Sequence, residues 1–226
     1  RMRETLRAWG YEEYNASPLE RAELYEAKTS EEIVNEQTYT FTDRGDRRVT
    51  LRPEMTPTLA RMVAHKRREL VFPLRWFSIG NRFRYERPQK GRLREFYQTD
   101  VDLIGLPEGE ARHTKSVSGE ADIEIVRLAS EMLKAFGAAE KDFIIRINSR
   151  ALLNAACKAA GLSGDSVRQY LRLLDKKSKM APEAFSTASS TISVKNPLSF
   201  IEPKAMETFI STLKERGVNN VVFDAS

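Results

Sequence analysis

The sequence predicts a mixed α and β fold. Alternating polar and apolar residues in the first half indicate strands, residues 120–136 repeat apolar side chains at helical spacing, and residues 149–200 are helical and rich in alanine. The length of 226 residues suits one domain, or one domain with an insert, around a substantial hydrophobic core. We therefore expect a first core segment at 1–148, a helical insertion domain at 149–200 and a return to the core at 201–226.

Local patterns predict the elements of the N-terminal half. An apolar stripe at residues 2–9 indicates a helix that ends at Gly10, and a strand follows at 11–14. Residues 19–36 have a broken helical pattern. Period-two alternation around a polar turn indicates a β-hairpin, and a proline at the first helical position indicates a helix start. These patterns predict a hairpin at 38–42 and 48–51, a helix at 56–69 capped by Thr56, strands at 74–79, 83–85 and 93–104, and an exposed loop at 106–119.

The C-terminal half is predicted to alternate helices and strands around the alanine-rich region. The amphipathic helix at 120–136 ends at a glycine, and apolar residues at 143–147 indicate a buried strand. A helix at 203–216 and a strand at 219–223 follow. Because this alternation resumes after the helical region, we interpret 149–200 as an insertion.

Composition excludes two classes of protein. Hydrophobic residues make up 41% and charged residues 31% of the chain, which is typical of soluble globular proteins and argues against intrinsic disorder. No stretch approaches the roughly 18 to 20 apolar residues of a transmembrane helix, so we expect no membrane association. The single cysteine, Cys157, is expected to pack in the core, in a reducing compartment. No secretory or transit signal opens the chain, which begins at Arg1 within a predicted helix; we expect a trimmed N-terminus and a cytoplasmic location.

Positive charge is concentrated in one region. Residues 44–94 contain 15 Lys and Arg against 4 Asp and Glu, a net charge of +11, whereas the other residues together carry −6. Arginine offers a rigid bidentate fork to phosphate groups. The concentration therefore suggests a polyanionic partner, either nucleotide phosphates or a nucleic-acid backbone.

The charged residues fall on a predicted strand–loop–strand unit. Arg84 and Glu86 share a face of the first strand, because side chains alternate with period two. On the second strand the same rule places four side chains on one face, Phe96, Gln98, Asp100 and Asp102. Such a pair of strands can place arginine beside a phosphate, an aromatic ring under a base, and amide and carboxylate groups around a small polar substrate. Spacing alone also allows a charged hairpin on a solvated sheet face, which is the less favoured interpretation.

A second acidic position favours the ligand-binding interpretation. The run Arg52-Pro53-Glu54-Met55-Thr56 places a carboxylate and a hydroxyl where a predicted strand meets a helix. A carboxylate there suits an α-ammonium group, and a plain surface gives it no obvious role. The sequence therefore predicts a nucleotide site next to a site for a small polar molecule.

These motifs resemble the class II aminoacyl-tRNA synthetases, and within them the histidyl-tRNA synthetase family. Phe83-Arg84-Tyr85-Glu86 with Arg94-Glu95-Phe96 is similar to the second class II signature. The segments 86–92 (Glu-Arg-Pro-Gln-Lys-Gly-Arg) and 51–57 (Leu-Arg-Pro-Glu-Met-Thr-Pro) resemble histidine-specific forms. The resemblance is strong over about residues 1–105. It implies a mostly antiparallel sheet flanked by helices, with a helical insertion.

The resemblance also implies roles for individual residues. Arg84 matches the arginine that holds the ATP α-phosphate and the amino-acid carboxylate. Glu86 matches the position near the adenine amino group, Arg92 the loop arginine that reaches the distal phosphates, and Phe96 the ring that stacks on adenine. Asp102 stands where the family has an acidic residue, often glutamate, that faces the imidazole. The implied histidine-binding residues are Glu54, Met55, Thr56, Arg84, Gln98 and Asp102.

The implied activity is that of a histidine–tRNA ligase. Histidine would attack the ATP α-phosphate to form histidyl-adenylate, with Mg²⁺ sharing the phosphate charge, and the tRNA(His) ribose hydroxyl would then take the histidyl group. Neither step needs a protein nucleophile, which fits a site rich in arginine. The two histidines, His65 and His113, are expected to be surface residues, and no metal site is predicted among the side chains. The resemblance further implies a homodimer.

The family pattern continues beyond Ser226 into a third class II signature and an anticodon-binding domain. We therefore expect the chain to be an incomplete catalytic domain with weak or absent activity in pyrophosphate exchange. A non-catalytic paralogue, the synthetase-like regulatory subunit of histidine biosynthesis, is the first alternative. A nucleic-acid-binding module that grips phosphates is the second, and it predicts salt-dependent RNA binding without nucleotide affinity. Synthetases for proline or threonine share the general class II pattern but lack a match to the loop at 88–92.

Overall fold

The computed structural model describes residues 1–26, 37–86, 90–105, 119–193 and 195–225. Its internal contacts divide the chain into two compact units, an N-terminal unit at Met2–Pro107 and a C-terminal unit that comprises mainly Glu108–Ser226. Each unit has its own strands and its own hydrophobic core. Across the described ranges, no helix is both long enough and apolar enough to cross a bilayer.

The N-terminal unit is built on two small sheets. Its strands are β1 (Glu12–Glu13), β2 (Leu19–Arg21), β3 (Tyr39–Thr42), β4 (Arg48–Leu51), β5 (Leu74–Phe83) and β6 (Glu95–Ile104), and its helices are α1 (Met2–Ala8), α2 (Ala22–Glu26) and α3 (Thr56–Lys66). One sheet has the order β1-β5-β6, in which β1 runs parallel to β5 and β5 runs antiparallel to β6. The other has the antiparallel order β2-β4-β3.

The two long strands β5 and β6 have one apolar and one polar face. On the odd-numbered face, Phe77 is completely buried, and the Thr99 hydroxyl lies 3.3 Å from the sulfur of Met2 in α1. On the even-numbered face, Trp76 packs with the buried side chains Tyr14, Met55 and Leu59. This packing holds the start of α3 against the sheet, and the same face carries the polar side chains of Ser78, Arg82, Gln98, Asp100 and Asp102.

The C-terminal unit combines a parallel strand pair with helices. Its strands are β7 (Ile145–Ile147) and β8 (Val221–Phe223), and its helices are α4 (Glu120–Ala135), α5 (Arg150–Ala159), α6 (Asp165–Leu174), α7 (Pro182–Ile192) and α8 (Glu207–Glu215). One core cluster joins α4, α8 and β8 through Ile123, Met206, Phe209, Leu213, Val218 and Val221. A second cluster contains Cys157, Leu162 and Tyr170. Cys157 is fully buried, as predicted, and burial raises the pKa of its thiol.

Several predicted elements differ in extent from the structure. The helical prediction for residues 19–36 is wrong at its start, because Leu19–Arg21 pair with β4 as a strand, and residues 27–36 lie outside the described part. The strand predicted at 74–79 continues without a break to Phe83 as the single strand β5, which pairs with β6 along its whole length, and the separate strand predicted at 83–85 is wrong because residues 84 and 85 lie beyond β5. Met55, not Thr56, occupies the cap position of α3.

Differences in the C-terminal half are smaller. The buried strand predicted at 143–147 begins only at Ile145, and its residues are not fully buried. Ile144, which precedes the strand, is 59% exposed. The predicted helix at 203–216 begins with a 3₁₀ turn at Pro203–Met206 before α8. The exposed loop predicted at 106–119 lies almost wholly outside the described residues.

Truncating Leu213 should destabilise the protein strongly. Its side chain is fully buried in the core that joins α4, α8 and β8, so Leu213→Ala leaves a cavity. We expect a loss of about 2 to 5 kcal/mol in the free energy of unfolding, measured by urea denaturation. Leu133→Ala is the control, because this leucine is 43% exposed, and it should cost less than about 1 kcal/mol. Equal losses for the two variants would contradict the assigned core.

Candidate functional site

The even-numbered face of β5 and β6 carries the predicted site residues of the two strands. The strand register places Arg82 opposite Phe96, Gly80 opposite Gln98, Ser78 opposite Asp100 and Trp76 opposite Asp102. Directly opposite residues of an antiparallel pair point to the same side of the sheet. The prediction that Phe96, Gln98, Asp100 and Asp102 share one face is therefore confirmed.

Arg84 follows directly after β5 and is held in place by two contacts. Its Nε donates a hydrogen bond of 3.0 Å to the carbonyl oxygen of Pro53, and its guanidinium carbon lies 5.4 Å from the centre of the Phe96 ring. The backbone N–H of Arg84 also donates to the carbonyl of Arg94 at 2.9 Å, which continues the β5–β6 pairing. The two terminal nitrogens make no hydrogen bond within the described part of the chain.

Glu86 and Arg92 form an ion pair across the loop that joins the strands. The Nη1 of Arg92 lies 3.1 Å from a carboxylate oxygen of Glu86, whose side chain is 14% exposed against 58% for the arginine. Beside them, the guanidinium of Arg94 lies over the ring of Tyr85 at 4.1 Å. The predicted ATP-binding residues Arg84, Glu86, Arg92 and Phe96 thus lie in one connected region at the loop end of the strands.

Arg52 ties the start of the strand-to-helix junction to the sheet. Its side chain is 3% exposed, and its guanidinium donates to the carbonyl oxygens of Asn81 at 3.0 Å and Ala16 at 2.9 Å. Burial and the nearby charge of Arg82 lower the pKa of this guanidinium. The next residues carry the predicted histidine contacts, so Arg52 fixes the backbone that presents Glu54.

The predicted residues at this junction differ in exposure. Glu54 is half-buried, and its carbonyl oxygen accepts a hydrogen bond of 3.2 Å from the hydroxyl of Tyr25. Thr56 is exposed at the first position of α3. Met55 is 1% exposed and packs among Tyr14 and Leu59, so its side chain contributes to the core beneath the site.

A buried ion pair lies in the centre of the polar face. Arg82 is fully buried, and its Nη2 forms a short hydrogen bond with Oδ2 of Asp100. The other carboxylate oxygen of Asp100 accepts a bond of 2.7 Å from Nε2 of Gln98. Gly80 is needed beside this pair, because a Cβ at that position would lie 2.8 Å from Nη2 of Arg52 and 3.3 Å from Nη1 of Arg82.

Asp102 is a carboxyl group with an unusual pKa. Burial and the neighbouring charge of Asp100 raise its pKa from 3.8 to about 6. Both effects disfavour the ionised form, because the carboxylate loses water and faces a like charge. The hydroxyl of Tyr14 is influenced by both aspartates, and its pKa is raised mainly by burial. A cationic group placed between these side chains would stabilise the ionised form of Asp102.

Residue patterns alone missed part of this site. Tyr14, Arg52, Ser78, Gly80 and Arg82 were given no role, although the even positions of β5 must face those of β6 in an antiparallel pair. Three of their side-chain atoms are buried without a hydrogen-bond partner in the described part of the chain, namely the hydroxyls of Tyr14 and Ser78 and Nε of Arg82. Such atoms are rare in folded proteins and mark a polar surface suited to a ligand or ordered water.

Two grooves lie apart from the predicted site residues. A groove of about 850 Å³ in the N-terminal unit is lined mainly by residues of α2 and α3, including Leu24, Pro57 and Arg61. A groove of about 820 Å³ in the C-terminal unit is lined by residues such as Arg146, Leu171 and Lys177. Neither contains a predicted site residue. Within the described residues, no group of three or more His, Cys, Asp or Glu side chains is arranged to hold a metal ion.

Comparisons with known proteins identify relatives of this chain. The family model described as "Histidyl-tRNA synthetase" matches residues 1–215. A protein of Leptospira biflexa named histidine–tRNA ligase is 45% identical over 185 residues, which cover 81% of this chain and 40% of that protein. The chain thus spans about 40% of the length of this relative.

Two solved structures have a similar fold. One is described as an ATP phosphoribosyltransferase regulatory subunit/histidyl-tRNA synthetase from Bacillus halodurans, with a TM-score of 0.73, 21% identity and coverage of 99% of this chain and 61% of that one. The other is histidyl-tRNA synthetase from Nostoc sp. PCC 7120, with a TM-score of 0.70, 20% identity and coverage of 99% and 55%.

The fold is therefore that of a class II synthetase catalytic domain, as the sequence predicted. The match of the family model over residues 1–215 makes the assignment more specific. The chain belongs to the histidyl-tRNA synthetase family.

Removing the charge of Asp102 should change the pH dependence of stability. The raised pKa means that the folded protein binds this proton more tightly than the unfolded chain does. Stability from this group is therefore fully present below pH 3.8 and is lost as the pH rises through about 6. Asp102→Asn should raise the free energy of unfolding at pH 7 by roughly 1 to 3 kcal/mol and change it little near pH 4.

The measurement is chemical denaturation of both proteins between pH 4 and pH 8. Glu12→Gln is the control, because Glu12 is an exposed carboxylate on the neighbouring strand β1. An Asp102→Asn variant whose stability differs from the parent by the same amount at every pH would show that Asp102 has an ordinary pKa.

Proposed function

We propose that this chain is part of a histidine–tRNA ligase, in which its N-terminal unit binds ATP and histidine on the even-numbered face of β5 and β6. The complete enzyme activates histidine with ATP to histidyl-adenylate and transfers the histidyl group to the 3′ end of tRNA(His). Membership of the family and the 45% identity to a protein named histidine–tRNA ligase support the proposal. The geometry of the site supports the placement of each substrate.

The observation that carries the proposal is the orientation of Arg84. Its Nε is bonded to the Pro53 carbonyl, and the Phe96 ring lies beside the guanidinium. The two terminal nitrogens make no hydrogen bond to a residue that the structure describes and can bind an anion. Arginine binds carboxylates and phosphates through two parallel N–H···O bonds, and a guanidinium fixed beforehand loses little entropy on binding. Arg84 is thus suited to the ATP α-phosphate and the histidine carboxylate, the two groups that react.

The rest of the nucleotide fits the loop end of the strands. Phe96 is half-buried on the same face and offers a ring on which adenine can stack. Glu86 offers carboxylate oxygens to the adenine amino group, and Arg92 lies at the exposed end, where the distal phosphates would extend. The Glu86–Arg92 ion pair must open for this. ATP would enter with Mg²⁺ bound to its phosphates as part of the substrate.

Histidine fits between the strand-to-helix junction and the centre of the sheet. Glu54 and Thr56 would bind the α-amino group, with Gln98 beside them as the family pattern implies. Asp102 lies further along β6, next to the buried hydroxyl of Tyr14, and would face the imidazole ring. An imidazole N–H close to Asp102 would favour the carboxylate form, which lowers the raised pKa of this group when histidine binds.

Catalysis in this scheme depends on position and charge. The histidine carboxylate oxygen attacks the α-phosphorus of ATP in line, and pyrophosphate leaves. Arg84 would stabilise the negative charge that builds on the α-phosphate oxygens, because its fork contacts both reacting groups. In the second step the terminal ribose hydroxyl of tRNA attacks the adenylate carbonyl and AMP leaves. No side chain of this chain forms a covalent intermediate.

We extend the proposal to the assembly of the enzyme. The family suggests a homodimer in the cytoplasm, with tRNA(His) as the macromolecular substrate. We retain the interpretation of residues 149–200 as a helical insertion in the catalytic domain. The regulatory subunit of histidine biosynthesis is the second candidate, because the description of the Bacillus halodurans structure names such a subunit beside histidyl-tRNA synthetase.

Histidine-dependent exchange of pyrophosphate into ATP separates the two candidates. The measurement uses the natural polypeptide that carries this chain, at its full length. A ligase should catalyse the exchange, and Arg84→Ala should lower its rate by roughly 100-fold or more, since charge stabilisation by one such donor has about this effect. Arg68→Ala is a matched control, because Arg68 is an exposed arginine just beyond α3, and it should leave the rate within about twofold of the parent.

Absence of exchange in the parent protein, with histidine binding retained, would favour the regulatory subunit. Exchange that survives Arg84→Ala would contradict the assignment of the reacting groups to this arginine.

A further inference from the structure

Three side chains form a continuous hydrogen-bonded chain across β5 and β6. Arg82 donates to Oδ2 of Asp100 through Nη2, and Gln98 donates to Oδ1 of the same carboxylate at 2.7 Å. The arginine is fully buried, and the aspartate side chain is 16% exposed. A second bond, of 2.9 Å, from Nη1 of Arg82 to the carbonyl oxygen of Asn81 prevents the guanidinium from turning away.

The chemistry of a carboxylate fixes the orientation of the Gln98 amide. An ionised carboxylate can only accept hydrogen bonds, whereas a glutamine side chain has an NH₂ donor and a carbonyl acceptor. The NH₂ of Gln98 must therefore face Asp100. Its Oε1 makes no hydrogen bond with any described residue and is left for a ligand.

We propose that Asp100, anchored by Arg82, is a positioning residue that orients Gln98 so that its carbonyl oxygen accepts a hydrogen bond from the α-ammonium group of the bound amino acid. The inference rests on the proposed function of this face as a histidine site. An ammonium group has only donors, so it is matched by an acceptor and repelled by an NH₂ group. Asp100 therefore acts on the ligand only through Gln98, and it excludes the amide orientation that would oppose binding.

The position of Asp100 explains why a second carboxylate lies so near Asp102. Two carboxylates two residues apart on one strand face repel each other, and this repulsion contributes to the raised pKa of Asp102. Asp100 is paired with a buried arginine, whereas Asp102 forms no ion pair with any residue in the described ranges. The two aspartates thus have different tasks: Asp100 holds the amide, and Asp102 remains for the ligand.

The test compares the affinity for two ligands by calorimetry, using the full-length natural polypeptide that carries this chain. One ligand is histidine, and the other is 3-(imidazol-4-yl)propionate, which lacks the α-amino group. In Asp100→Asn the neutral amide can present either its oxygen or its nitrogen to Gln98. We expect the dissociation constant for histidine to rise about tenfold or more and that for the propionate to change by less than about threefold.

If Asp100 had a purely structural role, its substitution would lower the affinity for both ligands equally. Equal losses of affinity, or no loss, would therefore overturn the inference. Tyr97→Phe is the matched control. Tyr97 precedes Gln98 in β6, so it lies on the opposite face of the strand, and it is 78% exposed. This substitution should change neither affinity. Asp100→Asn leaves the buried Arg82 without its counter-charge, which lowers the stability of the folded protein. The double variant Arg82→Met/Asp100→Asn removes both charges and should give the same selective loss of histidine affinity.

A measurement without ligand separates failure of the inference from failure of the proposed function. In the NMR spectrum of the parent protein, the Gln98 amide protons should be protected from solvent exchange, and the protection should disappear in the double variant. If the parent does not bind histidine, the proposed function is wrong, and this protection then decides whether Asp100 orients Gln98. Unprotected Gln98 protons in the parent would overturn the positioning role.

Discussion

The burial of charged side chains on one sheet face is the constraint on which the site depends. Arg52 and Arg82 are both almost inaccessible to water, and a buried charge is tolerated only when it is paired and hydrogen-bonded. Arg52 meets this requirement with backbone carbonyls of two segments, and Arg82 with Asp100. These bonds fix the backbone around the site before any ligand arrives, and Gly80 supplies the space that the two guanidinium groups need.

This rigid base explains how a site without a protein nucleophile can be effective. Among the described residues the Arg84 side chain is hydrogen-bonded through Nε, so its guanidinium is oriented while both terminal nitrogens are without a hydrogen bond there. Gln98 and Asp102 project from a paired strand, whose backbone cannot shift without breaking its register with β5. When catalysis depends on holding two substrates in line, errors of about 1 Å are costly, and strands position side chains more precisely than loops do.

Sequence patterns predicted which side chains of β6 share a face, but they did not predict the roles of the buried residues Arg52 and Arg82. Period-two alternation correctly placed Phe96, Gln98, Asp100 and Asp102 on one face, because this rule depends only on strand geometry. The roles of Arg52 and Arg82 depend on partners 29 and 18 residues away, and no local pattern encodes such contacts. Strand β2 was missed for a similar reason, since its pairing with β4 overrides a helical local preference.

The titration of Asp102 tests the account most directly. Carbon-13 NMR of its carboxyl carbon reports the pKa without relying on stability or activity, and Asp102→Asn assigns the signal. The account predicts a pKa of about 6 in the free protein, which falls when histidine is added. A pKa near 4 that histidine leaves unchanged would contradict it, because Asp102 would then be an ordinary solvated carboxylate outside the histidine site.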